Sequence, residues 1–127
     1  MSAGNLDTIQ GGLACGEVSP VAFNILRGGA DVLAAVDDGC VAPSVKLLAH
    51  ASPAMPVGES AVAGLAVIVA AAASEHGARE AFGITPDSRI VCVACEGPTD
   101  VSSFETISGQ KLADLAASPY SFPITLA

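Results

Sequence analysis

The chain has 127 residues, 51% of them apolar, and a formal net charge of −8 with only five lysines and arginines. This length supports one ordinary domain. Nucleic acids and anionic membranes both require a basic protein surface, so the charge balance argues against either partner. Aromatic residues make up only 4% of the chain, and we therefore expect a core of small aliphatic side chains.

No apolar segment is long enough to cross a bilayer. The longest strongly apolar run, residues 61–73, is shorter than the ~20 residues that a transmembrane helix needs. The N-terminal residues have neither the basic nor the apolar region of a signal peptide. Four cysteines without a secretion signal are typical of free thiols in a reducing compartment, so we expect a cytoplasmic protein.

The first predicted elements are a glycine-bracketed loop at residues 11–16, a helix and a short strand. Ser19 is a good N-cap and Pro20 suits the first helical position, so a helix is expected to start there and to end at the glycine pair 28–29. Its predicted buried face consists of Ala22, Phe23, Ile25 and Leu26. The apolar run 32–36 predicts a buried strand.

Two helices are predicted next. The first, residues 40–50, has three apolar residues on one stripe at helical spacing: Val41, Val45 and Leu48. Pro43 is tolerable only in its first turn. The second helix, residues 60–76, is closed by Gly77 and is apolar nearly all round, which predicts a central, buried position.

The last predicted elements are a strand and two short helices. Residues 90–93 form the clearest strand, a buried hydrophobic run, and the loop 95–100 follows it. Ser102 and Glu105 have the spacing of a capping box for a short helix. A final helical patch covers residues 111–116.

The alternation of strands and helices predicts an α/β fold in which helices flank a partial parallel sheet. Only the strands 32–36 and 90–93 are clear, with a third near Leu13, which is few for such apolar helices. Either a strand has no clear pattern, or the rest of the sheet lies in an N-terminal part or in a partner chain.

Cys92 and Cys95 form a CxxC pair, the spacing that zinc ligands and redox-active thiols use. Residues three apart on a strand point to opposite faces, which suits neither use. The other two cysteines form no second pair, so a four-ligand zinc cage cannot be assembled. A redox or metal module is therefore the weakest hypothesis, and no metal site is predicted.

The histidines and lysines favour structural roles. His50 and His76 lie near predicted helix C-termini, where a cation interacts favourably with the helix dipole. Neither has a serine, cysteine or carboxylate at the spacing of a catalytic triad. Lys46 lies opposite the apolar stripe of its helix and Lys111 opens a polar helix, so both are expected to be solvated.

Several loop residues could contact a ligand. The glycines of residues 11–16 permit a close approach, although neither GxGxxG nor GxxxxGK[ST] is present. Glu59 and Ser60 start a helix, where they could equally interact with the dipole and serve as N-cap. Glu96 follows a predicted strand, at the end where α/β sheets bind ligands. The acidic pair 37–38 is similar, but capping of the next helix is favoured.

Three segments, taken together, resemble the diaminopropionate ammonia-lyases. Residues 8–17 resemble the glycine-rich loop of that family, residues 58–66 its Gly-Glu-Ser helix start, and residues 88–100 its closing strand and Thr-Glu-Gly-x-Thr-Asp loop. Threonine deaminases and threonine synthases carry a related helix start. The ordered match defines a lyase-like C-terminal portion, residues 1–109, and leaves residues 110–127 as an unrecognised tail.

The resemblance implies a tryptophan-synthase-β-like enzyme that uses pyridoxal phosphate to eliminate both amino groups of 2,3-diaminopropionate, giving pyruvate and ammonia. It places Cys95 at the cofactor's ring nitrogen and Glu59 near the ring. The other cofactor-binding residues that it implies are Gly12, Leu13, Ala14, Ser60 and Glu96. The family's Schiff-base lysine and phosphate loop belong to an N-terminal part that has no counterpart in this sequence. No catalytic residue is therefore assigned, and the chain alone is expected to be inactive.

Two substitutions depart from the family pattern: Ala61 replaces a glycine and Cys95 a threonine. The resemblance also implies a small amino-acid substrate of the diaminopropionate, threonine or serine type. It implies a homodimer, or a pairing with an N-terminal half on another chain. The alternative is a stand-alone, non-catalytic relative that binds a small ligand or a protein partner.

Overall fold

The structure, a computed structural model, describes residues 5–74 and 77–116. These residues form short 3₁₀ helices at Gly11–Leu13 and Glu59–Val62, together with six α-helices and no β-strand. The α-helices are α1 (Pro20–Gly29), α2 (Asp38–Ala49), α3 (Ala63–Ala73), α4 (Ala78–Ala81), α5 (Val101–Ser108) and α6 (Leu112–Ala116). No helix in the described ranges has the length and apolar character needed to span a membrane.

The predicted α/β fold with a partial parallel sheet is wrong. Residues 32–36 and 90–93 are irregular, and the described residues contain no sheet for them to join. Their side chains are largely in solvent, with exposed fractions of 83% for Leu33 and 89% for Val91. A strand requires a neighbouring strand to pair its backbone N–H and C=O groups. An apolar run without such a neighbour remains irregular, whatever its composition.

α2 lies at the centre of the core. Val41 and Val45 are 0% exposed and Leu48 packs against the same cluster, which confirms the predicted stripe. α2 contacts α3, α5 and the second 3₁₀ helix. Phe104 of α5 is fully buried in this cluster. The other buried members are valine or alanine: Ala49, Val57, Ala61 and Val62. Small side chains thus support helix-on-helix packing here.

Pro43 lies inside α2 rather than in its first turn, because α2 already starts at Asp38. Proline has no N–H, so the carbonyl of Gly39 lacks its usual helical partner. Lys46 on the same helix is exposed, as predicted.

α1 has the predicted boundaries but buries no residue. Ser19 Oγ accepts a hydrogen bond from Ala22 N at 3.4 Å, and Pro20 occupies the first position, which confirms the predicted cap. The predicted buried face is wrong, since Ile25 is 69% and Phe23 47% exposed. Nothing in the described chain covers this helix.

The predicted helix 60–76 is shorter than expected. It starts as the second 3₁₀ helix, continues as α3 and ends at residue 73. Within α3 only Ala66 and Ala71 are buried, so the predicted all-round burial is wrong. Gly77, at φ +74°, precedes α4 instead of closing α3. His76 lies outside the described residues.

The C-terminal helices are joined by a carboxylate. Asp100 Oδ1 accepts from Ser103 N at 2.9 Å and caps α5, so the predicted capping box at residues 102–105 is wrong. Glu105 instead accepts from Lys111 Nζ at 2.5 Å and from the first amide of α6 at 3.2 Å. Lys111 is exposed, as predicted, but it is ion-paired.

His50 joins the C-terminal ends of two helices. It follows α2, and its Nε2 lies 2.9 Å from Ser108 O at the end of α5. Its Nδ1 lies 3.2 Å from Gln110 Nε2. These contacts agree with the structural role that was favoured for this histidine.

Candidate functional site

Three distant segments meet at one cavity of about 500 Å³. They are the glycine loop near residue 12, the second 3₁₀ helix, and the loop that leads into α5. Four of the predicted cofactor-binding residues line the cavity: Gly12, Glu59, Ser60 and Glu96. The three segments that resemble the lyases each contribute to this set.

Gly12 contacts the start of the second 3₁₀ helix. Its N–H donates to Ser60 Oγ at 2.9 Å. A Cβ atom at position 12 would lie 2.9 Å from that Oγ and 3.3 Å from Glu96 Oε2, so any other residue would crowd both side chains. Gly58, not Ser60, occupies the N-cap position, and the Ser60 hydroxyl serves the glycine loop.

Glu59 is 7% exposed and accepts a hydrogen bond from Ser103 Oγ through its Oε1. A buried carboxylate requires such a donor, because its desolvation is otherwise strongly unfavourable. The Asp100 cap fixes Ser103 in the first turn of α5. The sequence interpretation missed Ser103. Recognising Asp100 as the N-cap would have placed Ser103 three residues later, beside the loop that contains Glu96.

Glu96 lies between two glycines. Gly58 N donates to Glu96 O at 3.3 Å. A Cβ at Gly58 would lie 2.6 Å from Gly97 O and 3.1 Å from Glu96 Oε1, whereas Glu96 Oε2 is the oxygen near Gly12. The close packing of two backbone segments therefore sets the position of this carboxylate.

The other predicted cofactor-binding residues lie apart from the cavity lining. Cys95 borders a second groove of about 470 Å³, together with Met55 and Val57, and Glu96 lines both spaces. Leu13 is 52% exposed and ends the first 3₁₀ helix, and Ala14 follows it. All four cysteines are free thiols.

Asp38 holds the segment that precedes the glycine loop. Its Oδ1 accepts from Thr8 Oγ1 at 2.6 Å, and its Oδ2 accepts from Ile9 N at 2.9 Å. These hydrogen bonds, that of Thr8 first, hold the pKa of Asp38 below its usual range. Capping of the next helix was the favoured prediction for residues 37–38. Asp37 occupies the N-cap position of α2, but its side chain makes no cap hydrogen bond, and Asp38 contacts the loop instead. No local sequence signal indicates a contact between residues 30 positions apart.

The cavity is rich in hydrogen-bond acceptors. Its lining includes the carboxylates of Glu59, Glu96 and Asp100 and the hydroxyl groups of Ser60, Thr99 and Ser103. None of the described lining residues is a lysine, arginine or histidine. Within the described ranges, no group of three or more potential ligands is arranged to hold a metal ion. This lining favours an uncharged or cationic group over a phosphate.

The chain is similar in sequence to known ammonia-lyases. The matched enzymes are the diaminopropionate ammonia-lyases of Escherichia coli strains K12, O6:H1 and O157:H7, each 32% identical to the chain over 111 residues. The match covers 82% of this chain but 27% of each enzyme, so the chain spans about a quarter of their length. The resemblance seen in the motifs is confirmed at this level, as a distant partial match. No model of a protein family matches the chain, and no solved structure does.

Proposed function

We propose that the chain is a portion of a pyridoxal-phosphate-dependent ammonia-lyase of the diaminopropionate type, and that it contributes one wall of the active site. The observation that supports this most strongly is the meeting of Gly12, Glu59 and Glu96 at one cavity. These residues come from three separate segments, each of which resembles the lyases. A resemblance confined to local helix or loop patterns would not require the segments to converge.

The residues of this chain do not fit the whole cofactor. Pyridoxal phosphate carries a phosphate group and needs a lysine for its Schiff base. The described lining offers three carboxylates and no lysine. Lys46 is exposed on α2, and Lys111 is paired with Glu105. No step of the elimination is therefore assigned to this chain, and the proposal requires that the lysine and the phosphate site come from other polypeptide.

Uncovered apolar surface supports a larger assembly. α1 buries no residue, and Val91 and Val93 are 89% and 79% exposed. Patches of this kind on a soluble protein usually mark a surface that another polypeptide covers. The matched enzymes are long enough to supply one, because the chain spans only 27% of their length. The same exposure counts against a stand-alone ligand-binding protein.

The test begins with the coding DNA upstream of Met1. We expect an in-frame stretch, or an adjacent gene, that encodes a Ser-x-Lys segment and a glycine-rich phosphate loop. Joined to this chain and supplied with pyridoxal phosphate, it should release pyruvate and ammonia from 2,3-diaminopropionate. Threonine and serine, assayed in parallel, identify the substrate type. The isolated chain with added cofactor should release neither product.

Two variants of the joined polypeptide show whether this wall takes part in catalysis. Glu59→Gln should lower the elimination rate by about 10-fold or more, since the carboxylate lies in the cavity. Lys46→Gln changes an exposed charge on α2 and should leave the rate unchanged. Equal rates for both variants, or elimination by the isolated chain, would contradict the proposal.

A further inference from the structure

One side chain holds three consecutive residues of the segment before Gly12. Asp38 accepts from Thr8 Oγ1 at 2.6 Å and from Ile9 N at 2.9 Å, and Gln10 Nε2 adds a third bond at 3.2 Å. Both carboxylate oxygens are used. A single carboxylate on another element therefore fixes backbone and side chains together.

The anchor belongs to a core helix, whereas the segment has little secondary structure of its own. Asp38 lies in the first turn of α2, three residues before Val41, which is 0% exposed in the core. The glycine loop has only the three-residue 3₁₀ helix Gly11–Leu13, and 3₁₀ helices have poorer hydrogen-bond geometry than α-helices. Gln10 is 7% exposed, and its Oε1 has no hydrogen-bond partner within the described part of the chain. The bond from its Nε2 to Asp38 is thus an important polar anchor of that side chain.

We propose that Asp38 is a positioning residue of the candidate site, which sets the Gly12 amide against Ser60 by holding residues 8–10 on α2. The contact tolerates little movement, because Gly12 N and Ser60 Oγ are 2.9 Å apart and even a Cβ at position 12 would crowd that oxygen. None of the segments that resemble the lyases includes Asp38. The ligand that this loop would meet depends on the proposed function, but the positioning is a property of this chain alone.

The first test measures amide hydrogen exchange at Gly12 by NMR, on the 127-residue chain without cofactor. Asp38→Asn keeps the side-chain size but removes the charge and an acceptor. The Gly12 amide should then exchange roughly 3-fold to 10-fold faster, the size expected for losing weak exposed hydrogen bonds. Asp37→Asn is the matched control, because the same charge is lost from a side chain that makes no cap bond. It should leave the exchange rate unchanged.

A second variant covers the case in which Asp38→Asn does not fold. Thr8→Val removes the hydroxyl that donates to Asp38 and lies outside α2. It should accelerate exchange at Gly12 in the same direction but by a smaller factor. Val45, buried in α2, should exchange at the wild-type rate in this variant. Acceleration at both positions would indicate general loss of stability and would overturn the proposal.

The pH dependence of the Gly12 amide chemical shift is the readout that a merely structural role would not produce. Because hydrogen bonds hold the pKa of Asp38 below its usual range, the shift should have an acidic inflection that Thr8→Val moves to higher pH. Asp38→Asn should abolish it.

The same experiment distinguishes the effect of Asp38 from the effects of neighbouring carboxylates. Glu59, Glu96 and Asp100 line the cavity with Gly12, and Asp37 precedes Asp38 in the chain. Any contribution of these groups to the pH dependence of the Gly12 signal is identified by the Glu59→Gln, Glu96→Gln, Asp100→Asn and Asp37→Asn variants. An unchanged inflection and an unchanged exchange rate in Asp38→Asn would overturn the proposal. No cofactor is present, so either result is independent of the elimination assay that tests the proposed function.

Discussion

At the scale of single residues, the room for a Cβ atom at a glycine decides whether the site accepts a larger residue there. Gly58→Ala should destabilise the chain by about 1–3 kcal/mol, the range for overpacking a close contact. The added Cβ would lie 2.6 Å from Gly97 O, a backbone atom that cannot rotate away. Gly58 has φ −77°, a conformation that alanine also adopts, so the loss of stability would come from the contact and not from backbone strain. Urea denaturation followed by circular dichroism gives the free energy of unfolding.

The matched substitution for this prediction is Gly64→Ala in α3. A Cβ there meets nothing within 4 Å, and the position is helical. Alanine is the better helix former, so the variant should be more stable than wild type by about 0.5–1 kcal/mol. Opposite signs for the two variants confirm the close approach at Gly58, whereas destabilisation of similar size in both would contradict it.

The ion pair that joins α5 to α6 predicts a pH dependence. The hydrogen bond between Lys111 and Glu105 lowers the pKa of Glu105 and raises the pKa of Lys111. The contribution of Glu105 to stability is therefore lost as the pH falls through its lowered pKa. That of Lys111 is lost as the pH rises through its raised pKa. The difference in unfolding free energy between wild type and Lys111→Gln should be largest at neutral pH and should shrink at both extremes.

The control for the ion pair is Lys46→Gln, which removes another exposed charge, from α2. Its effect on stability should not follow the titration of Glu105. The effect of Lys111→Gln should also fall at about 1 M salt, because screening weakens exposed pairs. A difference that is constant across pH would show that Lys111 acts only through its apolar stem.

Four residues that the sequence singled out line one cavity, although their role in cofactor binding stays a prediction, and the contacts that position them were not predicted. Motifs of a few adjacent residues located Gly12, Glu59, Ser60 and Glu96, which all line one cavity. The contacts of Asp38 with Thr8 and of Ser103 with Glu59 join residues 30 and 44 positions apart. A single sequence holds no local signal for such pairs, because the packing of whole helices brings them together.

At the scale of elements, capping should matter only where a helix carries part of the core. Asp100→Ala removes the cap of α5, whose Phe104 is 0% exposed, and should lower the free energy of unfolding by about 0.5–2 kcal/mol. Ser19→Ala removes the cap of α1, which has no buried residue. That change should reduce helix content in α1 and leave the global free energy nearly unchanged. Equal losses in both variants would show that α1 is coupled to the core.

Helix starts and apolar stripes were predicted correctly where they depend on residues that are close together in the sequence. Ser19 and Pro20 start α1, and the apolar stripe of α2 has the predicted spacing. The strand predictions were wrong because a strand needs a neighbouring strand to pair with, and the sequence of one segment does not show whether that neighbour exists. The same apolar runs that predicted strands, 32–36 and 90–93, are irregular in the structure. These runs are apolar in composition, but their side chains would be buried only if another part of the protein or another polypeptide covered them.

At the scale of the whole molecule, exposed apolar side chains coexist with a net charge of −8. The charge opposes self-association, whereas the apolar surface favours it through burial of roughly 25 cal/mol per Å². We expect the isolated chain to bind a hydrophobic dye and to associate as salt screens the charge. This tendency should disappear when the proposed upstream polypeptide covers the surface.

The segment 90–93 can be tested directly as part of that surface. Val91→Asp with Val93→Asp should reduce dye fluorescence and light scattering, because these side chains are 89% and 79% exposed. The matched control is Asn5→Asp with Asn24→Asp, which adds two negative charges at exposed polar positions. If the control suppresses association as strongly, charge alone governs it and the apolar run is not a contact surface. If only the valine pair acts, the same two substitutions should also abolish binding of the upstream polypeptide, since the surface that drives self-association is then the one it covers.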